Sequence, residues 1–201
     1  MQKSKKPKLS TKEIVLIAVC TVVLIILESL GSLISIFLGT FAHTMSQAFS
    51  GLISAIVFVF VMERIPRRFV FSFMLMLPII IYSLAALYLP FLLTYTIGVI
   101  IGELALGKFG YQSFSGQAIA YAAVHFGAIC GQLVPAWFFP EKFVAHFIQA
   151  GTADLEQMND FVRYSKGLFG LLTVVLTIGL PIVGVYFSRK IVARYQRRKI
   201  A

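Results

Sequence analysis

The sequence predicts an all-α integral membrane protein: a bundle of six transmembrane helices with both termini in the cytoplasm. Of its 201 residues, 59% are hydrophobic and only 13% are charged. This is more apolar surface than a soluble domain of this size can bury. A spanning helix needs about 20 mostly apolar residues, so six spans leave room only for short loops. We therefore predict one membrane domain, residues 1–201.

Apolar stretches separated by turns or charged loops predict each span in order. The first span follows Ser10-Thr11, a plausible helix cap. The second ends at an arginine-rich loop whose Pro66 interrupts the helix. An uncharged turn separates the third span from the fourth, and a polar, glycine-bearing loop separates the fourth from the fifth. A long loop at 140–165 precedes the last span. The predicted spans are residues 13–38, 41–62, 69–87, 90–107, 117–139 and 167–187.

Positive charge indicates which side of the membrane is cytoplasmic. The net charge is +10, and six alternating spans place 15 of the 18 Lys and Arg residues on one side, leaving Lys142, Arg163 and Lys166 on the other. The excess of Lys and Arg marks the cytoplasmic side, and five or seven spans would move one basic terminus outside. Charges that flank spans contact anionic lipid headgroups, so we predict contact with the lipid bilayer and no nucleic acid. The N-terminal charges are Lys3, Lys5, Lys6, Lys8 and Lys12.

Two ionisable residues lie deep inside the predicted spans, where such groups are costly and usually face the protein interior or a watery cavity. Glu28 is in the first span and His125 is in the fifth, at similar estimated depths. Three interpretations remain open: a structural hydrogen-bonded pair, a ligand-binding pair, and a proton relay.

Polar and aromatic residues also occupy the outer halves of the spans. Tyrosine and tryptophan at this height are often membrane-interface anchors, but aromatic and polar groups together also line small-molecule sites. His43 and Gln47 share a helix face at i and i+4 and are hard to explain as anchors. We therefore predict an outer cavity with Glu28 beneath it. Tyr95 and Trp137 would stack on the ligand, whereas the polar members would form hydrogen bonds. The candidate wall residues are His43, Gln47, Tyr82, Tyr95, His125, Gln132 and Trp137.

Two further patterns leave two interpretations each, and a third predicts one contact. Apolar residues at helical spacing in the loop 140–165 indicate amphipathic helices, which form either a lid over a cavity or an interfacial layer. The GxxxG patterns 98–102 and 127–131 allow close helix packing, either within the bundle or against another subunit. Glu103 and Lys108, about one turn apart, predict an ion pair at the inner interface.

Motifs for catalysis are missing from the sequence. It contains no HExxH, GxSxG or phosphate-binding glycine loop, and its histidines and cysteines have no recognised metal-site spacing. We predict no enzyme activity, no cofactor and no metal. Two other functions remain open: a self-contained proton-coupled carrier that uses Glu28 and His125, and an intramembrane enzyme with an unfamiliar site.

The stretches IGELALGKFGY at 101–111, AIAYAA at 118–123 and VPAWFF at 134–139, with the amphipathic loop after them, carry a family resemblance. With six spans and no energy source of its own, the chain resembles the S components of energy-coupling factor (ECF) vitamin transporters. Within them it is most similar to the Trep_Strep or MptD-like family. The resemblance covers nearly the whole chain.

The resemblance implies a substrate-capturing subunit in a bacterial plasma (inner) membrane. Such a subunit binds a vitamin or related micronutrient from outside, then docks on a separate transmembrane coupling subunit driven by two cytoplasmic ATPases. The family commonly carries AxxxA on the first span for this docking. Here the nearest equivalent has valine at its second position, which makes Ala18, Thr21 and Val22 the expected coupling-subunit contact. The resemblance supplies no substrate.

Overall fold

The computed structural model describes residues 9–86 and 88–198, which form nine α-helices and no strands. Lys3, Lys5, Lys6, Lys8 and Lys199 lie outside the described residues, as does Leu87, the predicted end of the third span. Six long helices are α1 (Thr11–Phe37), α3 (Ser46–Arg64), α4 (Val70–Ala86), α5 (Leu89–Phe109), α6 (Phe114–Phe138) and α9 (Gly167–Arg198). The short helices are α2 (Thr40–His43), α7 (Pro140–Gln149) and α8 (Leu155–Tyr164).

The all-α class and the membrane character are confirmed. Within the described residues, α1, α3, α5, α6 and α9 are long and apolar enough to cross a membrane. Helix α4 is also apolar, but it is shorter, with 17 residues, and it contains Pro78. Five helices are thus candidate spans by length and composition, while a sixth span and cytoplasmic termini remain predictions.

Local side-chain chemistry sets several helix ends. Ser10 caps α1, because its hydroxyl accepts from the Glu13 amide at 3.3 Å while the Glu13 carboxylate accepts from the Ser10 amide at 2.8 Å. The Ser113 hydroxyl caps α6 by accepting from the Gly116 amide at 2.9 Å. Gly110, with φ at 99°, ends α5 in a conformation that favours glycine.

Two boundaries differ from the sequence prediction. The gap between the predicted first and second spans is confirmed as a turn, where Gly39 adopts φ of 97°. The sequence predicts the second span as one helix from residue 41, but α2 ends at His43 and α3 begins at Ser46, so the helix is interrupted at Thr44 and Met45. The last helix was predicted to end near residue 187, but α9 continues to Arg198. No glycine or proline occurs in 188–198, so nothing there ends the helix.

The long helices run between two ends of the bundle. We call the end with loops 65–69 and 110–113 and with Arg189 the basic end. We call the opposite end, with α2, α7 and α8, the loop end. The first and last described helices, α1 and α9, have their outer termini at the basic end.

The glycine patterns pack α5 against α6. A β-carbon at Gly98 would lie 2.5 Å from the Ala123 carbonyl oxygen, and one at Gly131 would lie 2.6 Å from the Phe91 α-carbon. The two backbones therefore approach more closely than any side chain allows. These glycines serve packing within the bundle.

A layer of aromatic side chains fills the bundle between its middle and the basic end. Phe58, Phe71 and Tyr121 are completely buried. Phe58 and Tyr121 stack with their ring centroids 4.5 Å apart, and the Tyr121 hydroxyl lies 2.6 Å from the Ser54 hydroxyl. We call Phe58, Phe71 and Tyr121 the aromatic layer.

Polar side chains join four segments at the basic end, and we call Glu63, Gln112, Gln117 and Arg189 the Arg189 cluster. The Arg189 guanidinium forms an ion pair with Glu63 at 3.0 Å and donates to the Gln117 side-chain oxygen at 2.9 Å and the Gln112 carbonyl at 2.7 Å. Gln117 also donates to the Glu63 carboxylate at 3.2 Å. The cluster therefore links α3, the loop after α5, α6 and α9.

The predicted ion pair between Glu103 and Lys108 is wrong. The Glu103 carboxylate instead accepts hydrogen bonds from the Phe69 amide, the Ser72 hydroxyl and the Tyr111 hydroxyl at 2.8–2.9 Å. Residues five apart on a helix point about 140° away from each other, so the Lys108 ammonium lies over the Phe109 ring instead.

Candidate functional site

A cavity of about 490 Å³ lies in the loop-end half of the bundle. Its wall is formed by α1, α2, α3, α4, α5, α6, α7 and the segments next to them. This volume is within the range of small-molecule binding sites. The lining residues are Glu28, Ser29, Ser32, Leu33, Ile36, His43, Ser46, Gln47, Ser50, Tyr82, Tyr88, Phe91, Tyr95, Gln132, Phe147 and Thr152.

The structure brings six of the eight predicted site residues to this cavity. They come from α1, α2, α3, α4, α5 and α6, which places residues far apart in sequence around one space. The six are Glu28, His43, Gln47, Tyr82, Tyr95 and Gln132. His125 and Trp137 are not among the lining residues.

Trp137 lies at the loop end but on a different surface. Its indole N–H donates to the Ser165 carbonyl oxygen at 2.6 Å, which ties the end of α6 to the turn between α8 and α9. The side chain borders Lys166 and Gly170. Its position fits a structural contact, not stacking on a ligand in the cavity.

His125 is enclosed among α3, α6 and α9. It is 2% exposed, its ring centroid lies 4.7 Å from that of Tyr121, and a β-carbon on Gly51 would meet its ring at 2.9 Å. Neither ring nitrogen has a hydrogen-bond partner among the described residues. The predicted hydrogen-bonded pair with Glu28 therefore does not form in this structure.

The sequence alone predicts that His125→Ala weakens ligand binding, but the structure reverses this expectation. Removing a buried ring beside Gly51 leaves a space that its neighbours fill only partly, which costs about 2–4 kcal/mol. We expect a lower melting temperature in detergent and an unchanged ligand affinity. Thermal melting of the purified variant, with ligand titration below its melting temperature, measures both. A large affinity loss at unchanged stability would return His125 to the binding site.

Glu28 lies on the part of the cavity wall nearest the middle of the bundle. It is about 14 Å from the loop end of α1, at a rise of roughly 1.5 Å per residue. The Ser50 hydroxyl donates to the Glu28 backbone carbonyl at 2.7 Å and lies 3.3 Å from the Ser32 hydroxyl, which joins α1 to α3. Among the described residues, no hydrogen bond or ion pair engages the Glu28 carboxylate, which leaves it available to a ligand.

Buried polar atoms at this cavity lack partners. Tyr88 and Tyr95 are 8% and 5% exposed, and neither hydroxyl has a hydrogen-bond partner among the described residues. The His43 Nδ1 atom is also buried and unpaired there. Buried polar groups in proteins are nearly always hydrogen-bonded, so these three atoms are available for hydrogen bonds to a molecule or to water in the cavity. Burial lowers the pKa of His43, and its imidazole is therefore neutral at pH 7.

Sequence reasoning missed the serines and most of the apolar wall. Ser46 and Ser50 share a helix face with Gln47, and Ser29 and Ser32 follow Glu28 at helical spacing. Small hydroxyl residues repeated on an otherwise apolar span were the signal for this polar face. Phe147 reaches the cavity from α7, in the loop whose amphipathic pattern left a lid over a cavity open as one of two interpretations.

The three expected coupling-subunit contacts divide between two faces of α1. Ala18 and Val22 are exposed, Val22 at 56%. Thr21 is 2% exposed, and its hydroxyl donates to the Ile17 carbonyl oxygen at 2.8 Å. Thr21 therefore faces the interior of the bundle and is not accessible to a partner.

Comparison with known proteins places the chain in a family. Neither a curated protein nor a solved structure matches it. A family model described as a hypothetical bacterial integral membrane protein (Trep_Strep) matches residues 11–198. Because the match extends over nearly the full length, the chain belongs to the Trep_Strep family of bacterial integral membrane proteins.

Proposed function

We propose that the chain is the substrate-capturing S component of an ECF-type importer in a bacterial plasma membrane. It binds a vitamin or related micronutrient at the loop end, facing outward. A separate transmembrane coupling subunit and two cytoplasmic ATPases then drive delivery. The observation that carries this proposal is the cavity, with unpaired buried hydroxyls in its wall and the aromatic layer and the Arg189 cluster between it and the basic end.

The proposal includes α4 as the sixth span. Its 17 residues extend about 25 Å, slightly less than the roughly 30 Å of a bilayer's hydrocarbon core. Short spans are accommodated by local thinning of the bilayer. With α4 counted, both termini share the side on which arginines and lysines accumulate, which the positive-inside rule assigns to the cytoplasm.

Co-purification tests the proposed function. The tagged chain is produced with the coupling subunit and both ATPases of its own organism, and a stoichiometric complex that survives detergent is expected. Uptake into liposomes should then require ATP and all partners. A monodisperse, folded chain that forms no complex and transports alone would instead support a self-contained carrier.

Ala18→Trp is expected to prevent assembly of that complex. Ala18 and Val22 are one turn apart on an exposed face of α1, and a large indole there would prevent close approach of another helix. Leu171→Trp is the matched control, because Leu171 is exposed on α9, a different face of the bundle. We expect the control to assemble normally, and both variants to bind ligand as the parent does. Normal assembly of Ala18→Trp would remove this face from the proposed interface.

A further inference from the structure

The cavity wall carries one acidic side chain and no basic side chain that is charged at pH 7. Glu28 is the only acidic residue among the described residues that line it, and no lysine or arginine is among them. The remaining titratable base, His43, is neutral at pH 7 because burial lowers its pKa. A bound molecule therefore meets one carboxyl group and no side-chain cation.

An isolated carboxylate away from water is costly unless a positive group or several donors accompany it. Among the described residues, no side chain pairs with the Glu28 carboxyl group. Its neighbours Ser32 and Ser50 hydrogen-bond to each other and to the Glu28 backbone carbonyl, not to this group. A positively charged group on the ligand would supply the missing partner. An anionic group at the same place would find no positive partner among the described lining residues.

The rest of the wall fits a cation that carries an aromatic ring. Phe91 and Tyr95 lie with ring centroids 6.1 Å apart on the same side of the cavity. Aromatic faces attract cations and stack with other rings. An ammonium group has three donors and no acceptor. The unpaired, nine-tenths buried hydroxyl oxygen of Tyr95 can accept from it.

A second space adjoins the cavity at the loop end and is acidic. It measures about 340 Å³, shares Ile36 and His43 with the cavity, and is bordered by Asp154, Glu156 and Asp160. Asp154 also caps α8 through the Gln157 amide at 2.7 Å. No described lysine or arginine borders this space. A concave surface with one sign of charge concentrates ions of the opposite sign and raises their association rate.

We propose that the cavity selects an aromatic amine, a cation whose ammonium group lies against Glu28 and whose ring packs between the tyrosines and Phe91, and that the acidic space next to it attracts this cation. The proposal rests on the proposed function, in that it names the ligand class of the same site.

Three indole compounds that differ mainly in charge provide the test: tryptamine, indole-3-propionamide and indole-3-propionate. Binding is measured by calorimetry on the purified full chain in lipid nanodiscs, with empty nanodiscs subtracted. We expect tryptamine to bind at least about tenfold more tightly than the amide, which corresponds to about 1.4 kcal/mol, and the acid to bind most weakly. Equal affinities, a preference for the acid, or no binding of tryptamine up to millimolar concentration would overturn the proposal.

Two variants test whether Glu28 causes the preference for tryptamine over the amide. Glu28→Gln should remove the preference for tryptamine over the amide while leaving the affinity for the amide nearly unchanged. Glu141→Gln changes a loop-end carboxylate that borders neither space and should keep the full preference. If Glu28→Gln does not fold, Tyr95→Phe retains the ring and removes the hydroxyl, and it should weaken tryptamine binding several-fold. A preference that survives both cavity variants contradicts the proposal.

The role of the acidic space is tested separately, through the association rate of tryptamine. Asp160→Asn should slow tryptamine association at low salt, and the difference from the parent chain should shrink as ionic strength rises. An association rate that does not change would exclude this role. Failure of the charge preference in a chain that still assembles with its coupling subunit would reject the ligand class alone. A clear preference in a chain that never assembles would instead reject the importer.

Discussion

Arg189→Ala is expected to lower the free energy of unfolding by about 3 kcal/mol. The substitution removes one ion pair and two hydrogen bonds at once, to Glu63, Gln117 and the Gln112 carbonyl. The Glu63 side chain is only 18% exposed, so its carboxylate would remain partly buried with less compensation. Since the cluster joins α3, α6 and α9, the loss should appear as a lower melting temperature of the whole bundle in detergent.

Arg194→Ala is the matched control for this prediction, because Arg194 is exposed on the same helix. It removes the same charge from the same end of the protein and should leave the melting temperature within experimental error. Arg189→Lys should fall between the two, because a lysine keeps the charge but cannot direct its donors to three acceptors as a guanidinium does. Equal melting temperatures for Arg189→Ala and Arg194→Ala would show that the cluster contributes nothing to stability.

Gly98→Ala and Gly107→Ala are expected to change stability in opposite directions, although both replace a glycine in α5. A β-carbon at Gly98 would lie 2.5 Å from the Ala123 carbonyl oxygen and 3.0 Å from the Val124 α-carbon, so two backbones must separate. Such overpacking costs about 1–3 kcal/mol. A β-carbon at Gly107 meets nothing within 4 Å, and alanine favours the helix by up to about 1 kcal/mol.

The two glycine variants control for each other, since composition and helix propensity change identically. Melting curves of the purified proteins should separate them, with Gly98→Ala below the parent and Gly107→Ala at or above it. Loss of stability in both would mean that alanine is poorly tolerated throughout α5, and the close approach to α6 would not be the cause.

The position of each site residue along its helix could be predicted from the sequence, but the direction in which each helix faces could not. His43 and Gln47 were assigned to a cavity from their spacing, and both line it. His125 lies near the middle of α6, as predicted, yet it faces Gly51 and Tyr121. Lipid is as apolar as a bundle core, so hydrophobic patterning does not fix the rotation of a helix about its axis.

Helix ends that depend on neighbouring residues could be predicted, whereas contacts between distant segments could not. The cap at Ser10 depends on residues within one turn, and the sequence therefore predicted it. The turn at Gly39 was also predicted, whereas the break between His43 and Ser46 has neither glycine nor proline to mark it. Glu103 was assigned to the nearest lysine, whereas its actual donors Ser72 and Tyr111 come from other segments. Contacts of that kind require the packed structure.

The aromatic layer and the Arg189 cluster affect the side of the membrane from which a molecule can enter and leave the cavity. They occupy the bundle between the cavity and the basic end, where Phe58, Phe71 and Tyr121 are completely buried. We therefore expect association and release to use the same opening, at the loop end. The test uses vesicles that contain the chain alone, in one orientation, with a ligand bound. Competitor added on the loop-end side should displace the ligand, and competitor added on the other side should not. Without its partners, the protein would then reach binding equilibrium with ligand on one side of the membrane only.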